Sequence, residues 1–495
     1  MFIRRLIAIT VILLLSVPSS VLAAGNETRS ETYQLGEMVV KGEQKGVEDI
    51  AIHNEITAQE IEATGSNTLA EALKFAPGIV VTSGAKNEPS VSIHGFPSEN
   101  VLFLIDGIPY YETNYGKLNL DQIPTNIISK IQITKNAPSV LYGPNGMAGV
   151  VNVITKQGTE EPSASFTAEF GENDTHREGF SHGNQIGNIN YWLSYEHFET
   201  DGWELSEDYD PRPGKVKDFR SHPPEKEKRI IEDGAMRENS DKRSDKFWSR
   251  IGYVPNEDTK YYVSFFTSQS EFGNPPDTSS VRIFPGFSYF WRFKDYSDYG
   301  VDLSGHQKIN KKLALRGKVY YHYHEDKLAF YDSTQYDKNS FLAQSNYKDE
   351  YYGGTIIADF DVWPWHTGHL SFNYRQDQHR ERGKKNSAYD EYNSHTGSIG
   401  TEHKFQLPWR LTAVLGASYD WFKVEDADVN ELNATDTTSE MNPMVGLTYE
   451  MDSFTEFYAS VARKTRFPTL QGLGDNPDLD AQTSINYSLG GHKWF

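Results

Sequence analysis

"DQIPTNIISKIQITKNAPSVLYGPNGMAGVVNVITK", residues 121–156, alternates apolar runs with clusters of Asn, Pro and Gly. The runs "ISKIQITKN" and "GVVNVITK" are typical of short β-strands, because they are rich in Ile, Val and Thr and end in turn-forming residues. Three similar runs precede them: "IVVTS", "SVSIHGF" and "NVLFLIDGIPY". The last contains Asp106-Gly107, a dipeptide that favours a β-hairpin turn. Several short strands are therefore predicted between residues 79 and 156.

A helical pattern precedes these strands in "TAQEIEATGSNTLAEALKFAPGIVV". Apolar residues recur there at helical spacing, and Pro77-Gly78 is a stop signal. The residues at helical spacing are Leu69, Ala72, Leu73 and Ala76. Residues 46–160 are accordingly predicted to form a small α+β domain with its own core.

From about Ser163 onward the chain reads as alternating segments. In "RLTAVLGASYDWF" an apolar or aromatic residue stands at every second position from Leu411 to Trp421, which is the period of a β-strand with two different faces. Short links, such as "INKK" and "QLPWR", take turns with long polar ones, of which the longest runs from about Asp201 to Asp245. This order predicts a transmembrane antiparallel β-barrel over residues 161–495, with a soluble β-sandwich as the alternative.

The first 24 residues have the features of a secretory signal peptide. Arg4 and Arg5 precede an apolar run from Leu6 to Leu15, and small residues follow near Ala23. The alternative is an N-terminal membrane anchor, but the apolar run is shorter than the roughly 20 residues that span a bilayer as a helix. Residues 25–45 would then form a leader outside the inner membrane.

Composition narrows the class of protein further. The 495 residues include no cysteine, which excludes disulfides and thiolate metal sites. The formal net charge of -21 argues against a nucleic-acid partner, which would require a basic face. Aromatic residues make up 13% of a chain whose mean hydropathy is polar. An exported chain of this kind is typical of an outer-membrane barrel or a large secreted β protein.

Several segments together resemble one family, the TonB-dependent outer-membrane transporters. The matching segments are "LAEALKFAPGIVV", "SVSIHGF", "VLFLIDGIPYY", residues 121–156 and "RKTRFPTLQGLGDNPDLDAQTSINYSLG", in family order. The resemblance implies a mainly β fold in which an N-terminal α+β plug domain sits inside the barrel. It also implies that the segment "GEMVVKGE" is a TonB box, with Glu37, Met38, Val39 and Val40 pairing with TonB by strand addition. The alternative is an ordinary linker.

The resemblance implies active import, driven by TonB and its inner-membrane energising complex. The expected cargo is a scarce chelate, most simply a ferric siderophore, with cobalamin and haem as lesser candidates. Two alternatives stay open: a receptor or docking surface for phage or bacteriocin without transport, and a truncated non-functional copy. The chain is expected to be a monomer in the outer membrane, in contact with its lipids and lipopolysaccharide. No enzymatic activity, cofactor or metal site is predicted, since no catalytic motif is present.

Two plug loops, 83–89 and 110–116, are expected to face outward and to supply the substrate-binding residues. Their candidate side chains are Lys86, Asn87, Tyr110, Tyr111 and Tyr115. The tyrosines could stack on a flat chelate, or Tyr111 and Tyr115 could pack against the barrel wall. The stretch 211–229 is more basic than the whole chain and is expected to be a solvated loop, with attraction of an anionic ligand or lipopolysaccharide as alternatives.

The sequence also departs from the family pattern. His94 stands where the family often has Arg, and no histidine lies between Phe467 and Asn476, which argues against haem. His322 and His324 share a strand face and could ligate a metal, although bonding to neighbouring side chains is the expected outcome. Roughly 14 strands are predicted after the plug, against 22 in plugged transporters, and Lys493 interrupts the apolar alternation near the end. A truncated or split product is therefore the expectation.

Overall fold

The structure, a computed structural model, describes residues 50–84, 86–117, 119–136, 138–383, 387–427 and 437–493. The predicted signal peptide (1–24), leader (25–45) and TonB box (37–40) lie outside the described residues. Within the described ranges the chain forms a small N-terminal α+β domain followed by one large antiparallel sheet. The predicted fold class is therefore confirmed.

The N-terminal domain, here called the plug, is built on a five-stranded sheet. Its elements in chain order are β1 (Ile52–Thr57), α1 (Ala58–Ala63), α2 (Leu69–Leu73), β2 (Ile79–Ser83), β3 (Pro89–Ile93), β4 (Val101–Ile105), β5 (Ile108–Pro109), β6 (Ile128–Lys135) and β7 (Gly149–Thr155). The sheet order is β1-β6-β7-β4-β5, and β2 pairs with β3 as a separate hairpin. All of β6 and β7 is buried, because the large sheet surrounds the plug on its outer faces.

The predicted plug strands are confirmed, but the predicted helix is shorter than expected. Instead of continuing to Pro77-Gly78, α2 ends at Leu73, and Thr68 caps its N-terminus. A separate helix, α1, begins after a capping box of Thr57 and Glu60. Gly65, at a φ of +65°, turns the chain between the two helices, where a side chain would be strained. The predicted apolar positions are all buried: Leu69, Ala72, Leu73 and Ala76.

The large sheet has 14 strands, as the sequence predicts. They are β8 (Ser163–Phe170), β9 (His176–Ile186), β10 (Ile189–Thr200), β13 (Lys242–Asn256), β14 (Thr259–Asn274), β17 (Phe290–Asn310), β18 (Leu313–Tyr331), β19 (Phe341–Trp363), β20 (His366–Arg382), β21 (Asp390–Leu407), β22 (Leu411–Ala427), β23 (Thr438–Glu450), β24 (Thr455–Arg466) and β25 (Gln482–Lys493). Each strand pairs antiparallel with the next in this order, so that β8 and β25 are the two edges.

The two faces of this sheet differ as the alternation predicts. Leu415 and Tyr419 of β22 are exposed on the outer face, whereas Ser418 and Asp420 are buried on the inner face. Exposed Trp363 and other aromatic residues cluster near the short turns, in the position of an interfacial girdle. No helix among the described residues is long and apolar enough to cross a membrane.

The sheet curls around the plug, because strands far apart in its order contact plug residues. Arg250 of β13 lies 2.8 Å from the Asp106 carboxylate of the plug. Glu402 of β21 accepts a hydrogen bond from Ser139 at 2.9 Å, and Ser460 of β24 donates to the Ile50 carbonyl at 2.7 Å. Polar side chains on the inner face thus meet polar plug atoms, and the apolar plug core also extends onto the sheet, where it packs against Trp248 and Phe266.

One long connection contains unexpected structure. Residues 211–229 are predicted to be a solvated loop, but the structure folds them into the hairpin β11 (Pro213–Asp218) and β12 (Glu225–Ile230). This hairpin joins β15 (Ser280–Phe284) and β16 (Phe287–Ser288) in a separate four-stranded sheet. The expectation is wrong at this point because Val216 and Ile231 are buried against Val281 and Ile283 beneath the charged surface.

Candidate functional site

The two plug loops expected to face outward lie at the end of the sheet that carries the long connections. The Asn87 side-chain amide donates to the Gly273 carbonyl at 3.2 Å, near the last residue of β14. The backbone N–H of Gln471, in helix α3 (Leu470–Asp475), donates to the Asn114 carbonyl at 3.1 Å. Plug loops and long connections therefore meet at one end of the molecule, opposite the short turns.

Tyr110 and Tyr111 are adjacent in sequence but have different surroundings. Tyr110 is 6% exposed and joins the plug core to the sheet, with its ring centroid 5.6 Å from that of Phe266 on β14 and 5.8 Å from that of His322 on β18. The Tyr111 hydroxyl donates to the Asp377 carboxylate of β20, and the Arg375 guanidinium lies 4.3 Å from its ring centroid. Tyr111 therefore stands at the boundary between plug and sheet.

A pocket opens between the plug and strands β20, β21, β22 and β24. Tyr111 and Thr113 line it from the plug, and two cationic side chains, Arg375 and Arg466, line it from the sheet. Phe467, whose ring lies 5.7 Å from that of Phe422, gives it an aromatic wall. Glu99 and Asp377 also line the pocket, and Asp377 pairs with Arg375 at 3.0 Å, so the site offers charged groups of both signs and aromatic faces to a ligand with flat groups.

Sequence reasoning did not assign Arg375 or Arg466 to the site. Arg466 lies in the segment "RKTRFPTLQG", which resembles the family, so its position in the sequence could have marked it as a site candidate. Arg375 lies in the middle of an alternating strand, where an inward-facing arginine looks the same as any polar lumen residue. Its role depends on the register of β20 against the plug, which no local pattern records.

The remaining predicted residues form a cluster at the rim of the plug. The Lys86 ammonium lies 4.7 Å from the Tyr115 ring centroid and 5.3 Å from that of Tyr347 on β19. The Tyr115 and Tyr347 rings are themselves 6.4 Å apart. Lys86 and Tyr115 are thus brought together from the two predicted loops, and Asn87 lies beside them, bonded to the sheet.

A second constellation lies directly beneath this rim. The carboxylates of Glu112 and Asp349 and the imidazole of His379 each offer one atom, and these atoms lie within 4.8 Å of one another. The His379 imidazole is hydrogen-bonded through Nδ1 to Asp349, and the Thr113 hydroxyl donates to the same carboxylate at 2.7 Å. Burial, together with the neighbouring Asp349 carboxylate, raises the pKa of Glu112 to about 8.

The histidines singled out from the sequence have ordinary partners. His322 Nε2 lies 2.7 Å from Asp302, and His324 Nδ1 lies 2.8 Å from Asp298, both on β17. The expectation that neighbouring side chains bond this pair is confirmed. His94 bonds within the plug to Asn136 at 3.2 Å, and Asn136 in turn reaches Ser488 of β25 at 3.4 Å.

A plug enclosed by a curled antiparallel sheet, with a pocket at its outer end, has the architecture of a plugged barrel. The chain matches the TonB-dependent Receptor Plug Domain over residues 48–150 and the TonB dependent receptor-like beta-barrel over residues 237–495. It therefore belongs to the TonB-dependent receptor family.

Curated relatives align with part of the chain. The Vitamin B12 transporter BtuB of Vibrio vulnificus is 33% identical over 175 residues, which are 35% of this chain and 28% of that protein. BtuB of Vibrio cholerae is 32% identical over 147 residues, which are 29% of this chain and 24% of that protein. The chain thus aligns with less than a third of the length of these relatives.

Solved structures show the same fold over most of the chain. The FrpB iron transporter from Neisseria meningitidis superposes with a TM-score of 0.72 at 16% identity, covering 91% of this chain and 71% of that one. The copper transporter OprC superposes with a TM-score of 0.70 at 14% identity, covering 89% and 70%. At such identities the likeness concerns the fold.

Proposed function

We propose that this protein imports a small, scarce metal chelate across the outer membrane by a TonB-dependent mechanism, with a ferric siderophore as the cargo. The observation that carries the proposal is the outer pocket, in which Arg375 and Arg466 face an aromatic wall between plug and sheet. Ferric siderophores are anionic and often carry flat catecholate groups. Guanidinium groups and tyrosine rings bind such ligands by charge and by stacking.

The plug loops complete this binding site in the proposal. Tyr111 contacts the ligand at the floor of the pocket, where Arg375 already stacks on its ring. Lys86, Asn87 and Tyr115 form the rim, and Tyr110 supports the loop from the plug core. Ligand binding at this boundary alters contacts between plug and sheet, which gives the occupied state a means to differ from the empty one.

Energy for import arrives through the leader. The segment Glu37–Val40 pairs with TonB by strand addition, since main-chain hydrogen bonds supply affinity to a short extended segment. The inner-membrane energising complex of TonB then pulls on the plug. The protein works as a monomer in the outer membrane, with its exposed aliphatic band against lipid and its outer loops against lipopolysaccharide.

Cobalamin is the second candidate cargo. The BtuB proteins that align with this chain are named as vitamin B12 transporters, and the alignment covers about a third of this chain. Structural neighbours named as siderophore receptors include PiuA and BauA of Acinetobacter baumannii. Which of the two cargoes is imported depends on the shape and chemistry of the pocket. Uptake assays with both compounds distinguish them.

The test is uptake by cells that lack their own receptors for the labelled compound. Radioiron-labelled ferric catecholate and radiocobalt-labelled cobalamin are supplied to cells that express the full chain, with and without TonB. We expect saturable, TonB-dependent accumulation of the ferric catecholate. Val39→Pro should abolish it, because proline removes a main-chain donor from the added strand, whereas Val39→Ala should retain it.

A matched pair of arginine variants tests the pocket in the same cells. Arg375→Ala should lower uptake. Arg463→Ala should leave uptake unchanged, because Arg463 lies on the outer face of β24, where it pairs with Glu440 of β23. Adsorption of the ligand that is independent of TonB would instead indicate a docking receptor. Accumulation of neither compound in cells with folded protein would contradict the proposal.

A further inference from the structure

We propose that Glu112, Asp349 and His379 form a binding site for a divalent transition-metal ion that joins the plug to the sheet. Glu112 lies in the outer plug loop, Asp349 on β19 and His379 on β20. One ligand atom from each residue lies within 4.8 Å of the other two, a separation that a single ion can bridge. The site rests on this geometry and stands whether or not the protein imports a siderophore.

Unsatisfied buried atoms point to a missing ligand. Asp349 and His379 are both fully buried, with relative exposures of 0%. Asp349 Oδ2 and His379 Nε2 nevertheless have no hydrogen-bond partner among the described residues. His379 Nε2 forms an ion pair with the Glu381 carboxylate at 3.6 Å, a distance too long for a good hydrogen bond. Buried polar atoms nearly always have a hydrogen-bond partner, so the lack of one for Asp349 Oδ2 and His379 Nε2 requires an explanation. A bound metal ion would be such a partner.

Charge balance favours the same ligand. Two ionised carboxylates within this radius repel each other, the more so because Asp349 is fully buried. Within the trio, His379 Nδ1 is hydrogen-bonded to Asp349. A divalent cation bound here neutralises both carboxylates, and metal-ligating imidazoles characteristically keep such a bond from their second nitrogen to a carboxylate.

Neighbouring groups hold the ligands in position. The Thr113 hydroxyl fixes the Asp349 carboxylate at 2.7 Å. The Glu112 carboxylate accepts the backbone N–H groups of Asn114 at 2.8 Å and Tyr115 at 2.7 Å. Metal sites characteristically orient their ligands through such outer contacts, and losing one typically weakens metal binding by about 10- to 100-fold.

The donor set indicates the class of metal. Two carboxylate oxygens and one imidazole nitrogen suit zinc, manganese, ferrous iron, cobalt or nickel. Cu(I), which prefers thiolate and thioether ligands, fits poorly, and the chain contains no cysteine. Three protein ligands leave a coordination position open for water or for a donor atom of a bound compound.

Another trio of possible ligands is less suitable. His176, His197 and Glu199 also approach one another on β9 and β10, but they are only partly buried. His197 Nδ1 is already bonded to Asp245 at 2.9 Å, and the Arg243 guanidinium lies 3.7 Å from the Glu199 carboxylate.

The test measures zinc and cobalt binding to the folded, detergent-solubilised full chain by calorimetry and by Co²⁺ absorption. We expect one Zn²⁺ equivalent that is lost, or weakened more than tenfold, in Glu112→Gln, Asp349→Asn and His379→Asn. His395→Asn is the matched control, because His395 also pairs with a carboxylate, Glu425 at 3.0 Å, but has no third ligand. The His395→Asn variant should bind Zn²⁺ with the same affinity as the wild type.

A fourth variant distinguishes a loss of metal binding from a loss of folding. Thr113→Val keeps all three ligands and should weaken zinc binding by about 10- to 100-fold, with a retained heat-modifiable band as proof of folding. Zn²⁺ should also slow protease cleavage of the 110–117 loop in the wild type and not in Glu112→Gln. Absence of a bound equivalent in the folded wild type, or binding unchanged in the four variants, would overturn the proposal.

Discussion

The Asp106 side chain links a turn of the plug to the surrounding sheet. Asp106 and Gly107 both have positive φ angles, as the hairpin signal in the sequence predicts. The Asp106 carboxylate accepts the Thr155 N–H at 3.0 Å, the Thr155 hydroxyl at 2.6 Å and the Arg250 guanidinium at 2.8 Å. One residue therefore closes the turn, anchors β7 and binds β13.

Removing the arginine of this group should loosen the plug in the sheet. The Arg250 side chain is only 2% exposed, so Arg250→Met leaves a mostly buried carboxylate without its cation, at a cost of about 3–5 kcal/mol. We expect the folded, heat-modifiable band to disappear at a lower temperature. Arg243→Met is the control, because its side chain is 45% exposed and such surface pairs contribute about 0–1 kcal/mol. Equal melting of both variants and the wild type would refute this role for Arg250.

The conformation of a turn can be predicted from its own residues, but the distant side chains that those residues contact cannot. The dipeptide Asp106-Gly107 predicts its own conformation because backbone sterics are local. The pairing of Asp106 with Arg250, or of Glu112 with Asp349 and His379, depends on the register between plug and sheet. That register is a property of the assembled fold, which explains why tyrosines of the plug loops were predicted as site residues and Arg375 was not.

Among the elements, the strands of the large sheet were the most predictable. Their alternation has a period of two residues and assigns each side chain to a face, as Leu415 and Asp420 illustrate. The outer hairpin β11–β12 escaped prediction because it is mostly charged and buries few apolar side chains. The "GKVKD" run does alternate, with Val216 buried between Lys215 and Lys217, so a weak signal was present.

The hairpin should be released by a charge placed in its small core. Val216 is fully buried beside Ile231 and Val281, and Val216→Asp puts a carboxylate there without a partner. We expect trypsin to cut at the lysines of residues 215–228 at least about tenfold faster, since cleavage follows the population of the opened state. Glu225→Gln, an exposed change in the same hairpin, should leave the digestion rate unaltered. If Val216→Asp is as resistant as the wild type, the hairpin does not depend on this core.

Across the whole molecule, the nesting of plug and sheet follows from the family resemblance and is confirmed. Plug loops 83–89 and 110–116 were expected to face outward, and they lie beside the long connections, as Asn87 and Gly273 show. Substrate identity was not predictable in the same way, because the pocket is assembled from the plug and from four strands, β20, β21, β22 and β24, each of which contributes only one or two side chains.

Every proposal above depends on one claim, that this chain folds as a plug-filled barrel in the outer membrane. The most direct measurement expresses the chain with its own N-terminus and examines outer-membrane fractions by electrophoresis with and without boiling. The account predicts a band in that fraction whose mobility changes on heating, since the intact sheet resists detergent until it is melted. A chain found only in aggregates, or one whose mobility is the same before and after boiling, would contradict it.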